Sequence, residues 1–238
     1  MSKDYNESVA FHYSQYRPPL HAMILSKAIE QNGHFDLGLD IGCGTGKSSK
    51  ALKLFCKEVI GIDPSQTMID NAEKLPSVTY ICGNEESLAQ FKNQQFAIVT
   101  FAGSLFYCKN EKLRSELKRI SRDNGLIVIY DFEVRASEFL SAIGLNLSKI
   151  ESSGYDHEVN ISDWPEFKEE IVRKEQIILS PSAKELAHFI LAHSTWTDEL
   201  AMQFKDHDPF DKLVSYLKSQ GSEFELPVNI FYSRYKVN

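Results

Sequence analysis

The sequence has little that would place it outside ordinary globular proteins. Its four cysteines, Cys43, Cys56, Cys82 and Cys108, stand far apart with no C-x-x-C pair, which argues against a disulfide framework or a zinc site and for a reducing compartment. It has no excess of positive charge: 26 Lys+Arg against 33 Asp+Glu give a net charge of −7. No run of like charge forms a tail, so a protein that wraps duplex nucleic acid is disfavoured, because neutralising phosphates takes a basic surface. Long apolar runs are missing too. The longest, such as Leu126 to Tyr130, fall far short of the roughly 20 residues that span a bilayer. The polar segment from Met1 to Pro19 lacks the apolar core of a signal peptide, so a cytoplasmic protein is expected. No repeat or low-complexity stretch occurs.

What is present is an alternation of short apolar runs with amphipathic pieces of helical length over 238 residues, enough for one large domain. Leu37 to Ile41, Val59 to Ile62, Val78 to Ile81, Phe96 to Phe101 and Leu126 to Tyr130 read as strands buried on both faces, as in a parallel sheet. Ser48 to Phe55 and Glu111 to Ile120 each carry one apolar stripe and read as crossover helices, with Asp123-Asn124-Gly125 as a turn. The expected fold is a doubly wound α/β sheet. Beyond Glu133, Ser137 to Ile150 reads as a helix and the chain around Asp163-Trp164-Pro165 as irregular, an insertion over the sheet. A strand at Glu175 to Leu179, a helix opened by the Ser182–Glu185 capping box, a helix at Phe210 to Leu217 and a strand at Pro227 to Val237 would complete seven strands.

Between the first strand and first helix lies Asp40-Ile41-Gly42-Cys43-Gly44-Thr45-Gly46-Lys47-Ser48. A P-loop needs a glycine where Ile41 stands, and a dinucleotide fingerprint needs one where Lys47 stands. What remains is G-x-G-x-G preceded by Asp40, with a second acid, Asp63, ending the second strand. There a carboxylate can take two hydrogen bonds from ribose hydroxyls.

This pattern resembles class I S-adenosylmethionine-dependent methyltransferases, and most closely their small-molecule branch, which includes trans-aconitate methyltransferase-like proteins. The resemblance implies a Rossmann-like seven-stranded fold, with an N-terminal lid over residues 1–32, a cofactor-binding core over 33–135, a cap insertion over 136–172 and completing elements over 173–238. Tyr13-Ser14-Gln15-Tyr16-Arg17-Pro18 matches the branch's lid element, which implies Arg17 facing the cofactor's carboxylate. Asn84, in Cys82-Gly83-Asn84-Glu85, stands at the adenine-contacting turn. Gly42, Gly44 and Gly46 would let the cofactor approach the backbone, with further contacts implied for Tyr13, Asp40, Cys43, Pro64, Met68, Glu85 and Phe101. Two departures stand out: Ala97 replaces the acid of the fourth-strand pattern, and Phe106-Tyr107 replaces a His-Trp pair.

The implied reaction is methyl transfer from S-adenosylmethionine to a small-molecule acceptor by in-line displacement, leaving S-adenosylhomocysteine. Tyr107 and His193 are the candidate catalytic residues, Tyr107 as an aromatic face just after strand four and His193 as a base on the helical face of Leu186, Phe189 and Ile190. A base is needed only for an acceptor that is protonated at working pH. His157 and His207 lie in polar surroundings without ligand spacing, so no metal is expected. The expected partners are a small molecule, no nucleic acid and no membrane, in a monomer or homodimer. Two other readings stay open. One is a protein that binds the cofactor without turnover, motivated by the two departures; the other is a nucleic-acid methyltransferase, for which Thr100 to Tyr107 lacks an Asn-Pro-Pro-Tyr-like motif.

Overall fold

The computed structural model describes residues 9, 11, 12, 15, 16, 18–29, 34–148, 154–206 and 208–238. Seven strands form one sheet: β1 (Phe35–Ile41), β2 (Cys56–Asp63), β3 (Val78–Cys82), β4 (Phe96–Ala102), β5 (Ser121–Val134), β6 (Phe167–Leu179) and β7 (Leu226–Val237). Their order is β3-β2-β1-β4-β5-β7-β6, and β3 through β5 pair in parallel. All five early runs are strands, as expected, because Val- and Ile-rich segments pack well on a pleated surface. One detail differs: β3 is an edge strand and only partly buried, since no neighbour covers its outer side.

The chain forms two compact units. One holds residues 19–133, 154–175 and 230–238, and with them nearly all of the sheet. Its core joins Leu39, Val99, Phe101 and Ile127 from the strands to Leu113, Leu117 and Ile120 of the helix Glu111–Ile120, the apolar stripe read from the sequence. The first crossover helix is shorter than expected, Lys47–Leu52, because Phe55 already pairs with Phe35 as the chain turns into β2. Asp123-Asn124-Gly125 lies inside β5 rather than before it. Phe96 pairs with Ser121 and Ile98 with Leu126, so the surplus chain bulges out there, with Asn124 at φ 60°. Beyond the bulge the register is regular up to Ala102 beside Tyr130.

The other unit holds 134–153, 176–229 and the described residues before 19, with helices at Ala136–Ala142, Ala183–Leu191, Ser194–Phe204 and Phe210–Gln220. The helix expected to reach Ile150 stops early, at Ala142, where Gly144 takes φ 81° and Leu145 N–H closes on Leu140 O, a left-handed helix end that glycine favours. The capping box forms as read: Ser182 Oγ accepts from Glu185 N–H, and Glu185 accepts from Ser182 N–H. That helix breaks after Leu191, and Thr197 Oγ1 donates to the carbonyls of Leu191 and His193 at 2.9 and 3.0 Å. Strand β6 begins at Phe167, inside the 136–172 stretch.

Candidate functional site

The strand order reverses between β1 and β4, and in open α/β sheets ligands bind beyond the carboxyl ends of the strands at such a reversal. Ile41, Ile62 and Phe101 are in register there, which brings three loops together. A cleft of about 330 Å³ opens between them, lined by Gly42, Asp63, Pro64, Asn84, Glu85, Gly103, Ser104 and Tyr107 among others. That volume is within the range of small-molecule sites. Of the residues singled out from the sequence, it brings together Gly42, Asp63, Pro64, Asn84, Glu85 and Tyr107.

The glycine loop divides its labour. A side chain at Gly46 would collide with the Tyr80 hydroxyl at 2.2 Å, so its smallness serves the protein's own packing. At Gly44 a Cβ would meet nothing within 4 Å, so this stretch of backbone is open to a ligand. Asp40 is fully buried behind the loop: its Oδ2 accepts from Ser48 and Ser49 at 2.6 and 2.7 Å and its Oδ1 from Thr100 at 2.9 Å. Burial pushes its carboxyl above the usual range, and the three hydroxyls oppose that. Asp40 therefore supports the loop from beneath. Cys43 is likewise buried, its thiol pushed up by burial and by the carboxylates of Asp40 and Asp63.

Asp63 lies at the rim, 9% exposed, with Oδ2 accepting from Gly44 N–H at 2.8 Å and Oδ1 from Ser65 N–H at 2.9 Å. Asn84 caps a short 3₁₀ turn, its Oδ1 accepting from Glu86 N–H at 3.1 Å, and Glu85 accepts from Asn110. Met68 is exposed on the helix Gln66–Asp70, and Phe101 is wholly buried in the core. Tyr107 is 77% exposed at the cleft. His193 lies in the other unit, at the break between two helices, against Phe189 and Trp196. Tyr13 and Arg17 fall outside the described residues.

One group went unread in the sequence. Asp131, just past the buried part of β5, accepts on Oδ2 from the Tyr155 hydroxyl at 2.8 Å and faces His157 Nδ1 at 2.8 Å. The Tyr155 hydroxyl also lies 2.7 Å from the Gly103 carbonyl, on the cleft wall. The rings of Phe106 and Tyr107 pack on Tyr155 at centroid distances of 4.9 and 5.6 Å, and His157 stacks on Phe231. The partners of Asp131 lie 24 and 26 positions away in irregular chain. The available signal was an aromatic and a histidine side by side in Gly154-Tyr155-Asp156-His157.

Among the described residues, no helix is long and apolar enough to cross a membrane, and no group of His, Cys, Asp and Glu is arranged to hold a metal ion.

Residues 39–129 match the family model described as a methyltransferase domain. A protein of Dictyostelium discoideum named as a methyltransferase is 31% identical over 129 residues, 52% of this chain and 48% of that one. A Saccharomyces cerevisiae protein named as an S-adenosylmethionine-dependent methyltransferase is 29% identical over 127 residues, 50% of this chain and 44% of that one. The matches thus span about half the length of these curated relatives. Among solved structures, a protein of Anaeromyxobacter dehalogenans named as a type II methyltransferase superposes with a TM-score of 0.60 at 16% identity, covering 94% of this chain and 97% of that one. The YcgJ protein of Bacillus subtilis gives 0.53 at 15%, covering 92% and 98%. These two likenesses concern the fold.

Proposed function

We propose that the chain, whose residues 39–129 match a methyltransferase-domain model and whose seven-stranded sheet is shared with solved methyltransferase structures, transfers a methyl group from S-adenosylmethionine to a small-molecule acceptor. The observation that carries the proposal is the pairing of open backbone at Gly44 with the Asp63 carboxylate at the rim of one cleft. The cofactor supplies an electrophilic methyl on a sulfonium sulfur. The residues fit it without a phosphate cradle: Asp63 would offer its remaining lone pairs to ribose hydroxyls, Asn84 and Glu85 would hold the adenine end, and the open backbone at Gly44 would lie against the amino acid part, whereas Gly42, where a Cβ would meet Ser104 at 2.3 Å, is small for the protein's own packing. The protein's task is then to hold the acceptor in line and keep water out. The Tyr107 ring offers an aromatic face to a cation beside it.

The net charge of −7 favours a small acceptor over a nucleic acid. Thermal unfolding with S-adenosylmethionine, S-adenosylhomocysteine, NAD and ATP in parallel tests the reading. At about 100 times its dissociation constant the true ligand adds roughly 2.7 kcal/mol, or about 5–10 °C for a chain of this size. A shift with the two S-adenosyl compounds alone supports the proposal, and one with NAD or ATP instead overturns it. Transfer of labelled methyl to any of a panel of carboxylate, amine and phenol acceptors would exclude a protein that binds without turnover.

A further inference from the structure

Strand β6 is the last in the sheet order, with β7 on one side and, among the described residues, no strand on the other. An edge strand presents a row of backbone N–H and C=O groups to any chain that can pair with it, and short length, proline or charge commonly blunts such an edge. β6 is long, thirteen residues, and contains neither proline nor glycine. From Lys168 to Lys174 every residue is exposed except the half-buried Ile171, and Val172 is 43% exposed. Charge is therefore what remains to decide which chain could pair there.

Three of the charges on β6 are used within the protein's own fold: Glu170 pairs with Arg234 at 2.9 Å, Lys174 with Glu158 at 2.5 Å and Glu175 with Lys27 at 2.8 Å. Glu169 and Arg173 are in no ion pair among the described residues, and Arg173 donates only to the carbonyl of its neighbour Val172, at 2.9 Å. They stand two places either side of Ile171, so strand alternation puts all three on one face. Reversed, the order Glu169, Ile171, Arg173 is its own charge complement.

We propose that β6 is the interface of a symmetric dimer, in which a second copy of this chain adds its own β6 antiparallel to this one about a two-fold axis at Ile171. In that register the Ile171 side chains of the two copies face each other, and Glu169 of each copy lies opposite Arg173 of the other. Two ion pairs then flank an apolar centre. On the other face Glu170 lies opposite Val172, the two Val172 side chains are diagonal neighbours, and Lys168 meets Lys174, whose charge Glu158 already balances. Placing the axis at Glu170 or Arg173 instead sets like charges face to face, and placing it at Val172 leaves Arg173 opposite Ile171 with no carboxylate. A foreign apolar strand would leave both Glu169 and Arg173 unpaired, so the pattern selects a second copy of the same chain.

Sedimentation equilibrium of the whole chain over a wide concentration range reads the association directly, and the expected result is a monomer–dimer equilibrium. Glu169→Arg and Arg173→Glu, both at exposed positions, should each weaken it about tenfold, because each turns two attractive cross-strand pairs into repulsive ones. The double variant Glu169→Arg/Arg173→Glu exchanges the signs and should return to within about threefold of the original. Cysteine cross-linking reads the register, in a Cys82→Ser background because Cys82 is the exposed thiol. Directly opposite residues of an antiparallel ladder have Cα atoms about 4.5–5.5 Å apart, within disulfide reach, so mild oxidation should join two copies of Ile171→Cys and leave Lys168→Cys unlinked. A monomer at every concentration, a dimer indifferent to Glu169→Arg, a double variant as weak as either single one, or no linkage at Ile171→Cys overturns the proposal.

Discussion

Asp63 Oδ2 accepts the Gly44 backbone N–H at 2.8 Å, so the acid that ends the second strand is tied to the one loop glycine that faces open space. The same carboxylate takes the Ser65 N–H, and it therefore shapes the loop as well as the cleft rim. Charge-assisted hydrogen bonds of this kind contribute about 1.5–3 kcal/mol each. Asp63→Ala should lower the melting temperature of the ligand-free protein by several degrees and also abolish the further rise produced by S-adenosylhomocysteine. Calorimetry on both variants, with and without ligand, separates the two effects.

Gly44→Ala and Gly46→Ala should fail differently. Both residues have positive φ, 53° and 82°, so both substitutions incur about 1–2 kcal/mol of backbone strain. Only the methyl at 46 meets Tyr80, which adds about 1–3 kcal/mol of overpacking. Denaturant unfolding should rank Gly46→Ala as the less stable, while titration with S-adenosylhomocysteine should show the larger proportional loss of affinity in Gly44→Ala.

Tyr107 is largely exposed, and losing it should cost the fold little, within about 0.5 kcal/mol as for most surface substitutions. Tyr107→Ala should leave the unliganded melting temperature within about 2 °C, yet weaken S-adenosylhomocysteine binding several-fold, measured by isothermal titration. An unchanged affinity would remove Tyr107 from the cofactor cleft's working surface.

All four thiols are free, and only Cys82 is exposed. Burial raises the Cys56 and Cys108 thiols to about 12 and pushes Cys43 up as well, so none of these forms the reactive thiolate near neutral pH. Mass spectrometry after brief maleimide treatment should find one label, on Cys82, and four labels only after denaturation.

His12 and His188 face each other through their Nδ1 atoms at 2.9 Å beside Phe210, and both imidazoles are held below their ordinary value of 6.5, first by burial and then by neighbouring positive charge. The unfolded chain therefore binds protons before the folded unit does. The contribution of this pair is fully present above about pH 6.5 and is lost as the pH falls towards the depressed folded values. Hydrogen exchange at residues 183–191 should speed up between about pH 6.5 and 5, and His12→Phe should flatten that dependence.

The glycine loop, the five early strands and the capping box were legible because each is a local pattern of spacing or of turn chemistry. The second duty of Asp63 was not, since its bond to Gly44 spans 19 positions and depends on β1 and β2 lying in register. The break at His193 was hidden for another reason. Leu191-Ala192-His193-Ser194 contains neither proline nor glycine, and the chain divides there around the hydroxyl of Thr197. His157 reads only as a histidine in polar surroundings because nothing local to it names Asp131, which a different segment, β5, delivers.

The surplus residues of β5 are absorbed at Asp123-Asn124-Gly125, before the ladder that carries Tyr130 into line with Ala102. That bulge is a ready attachment point. Asn124 is exposed and already left-handed, at the opposite end of the strand from Asp131. A fluorophore or surface tether placed there would let the protein be immobilised and watched while the cleft goes on working undisturbed.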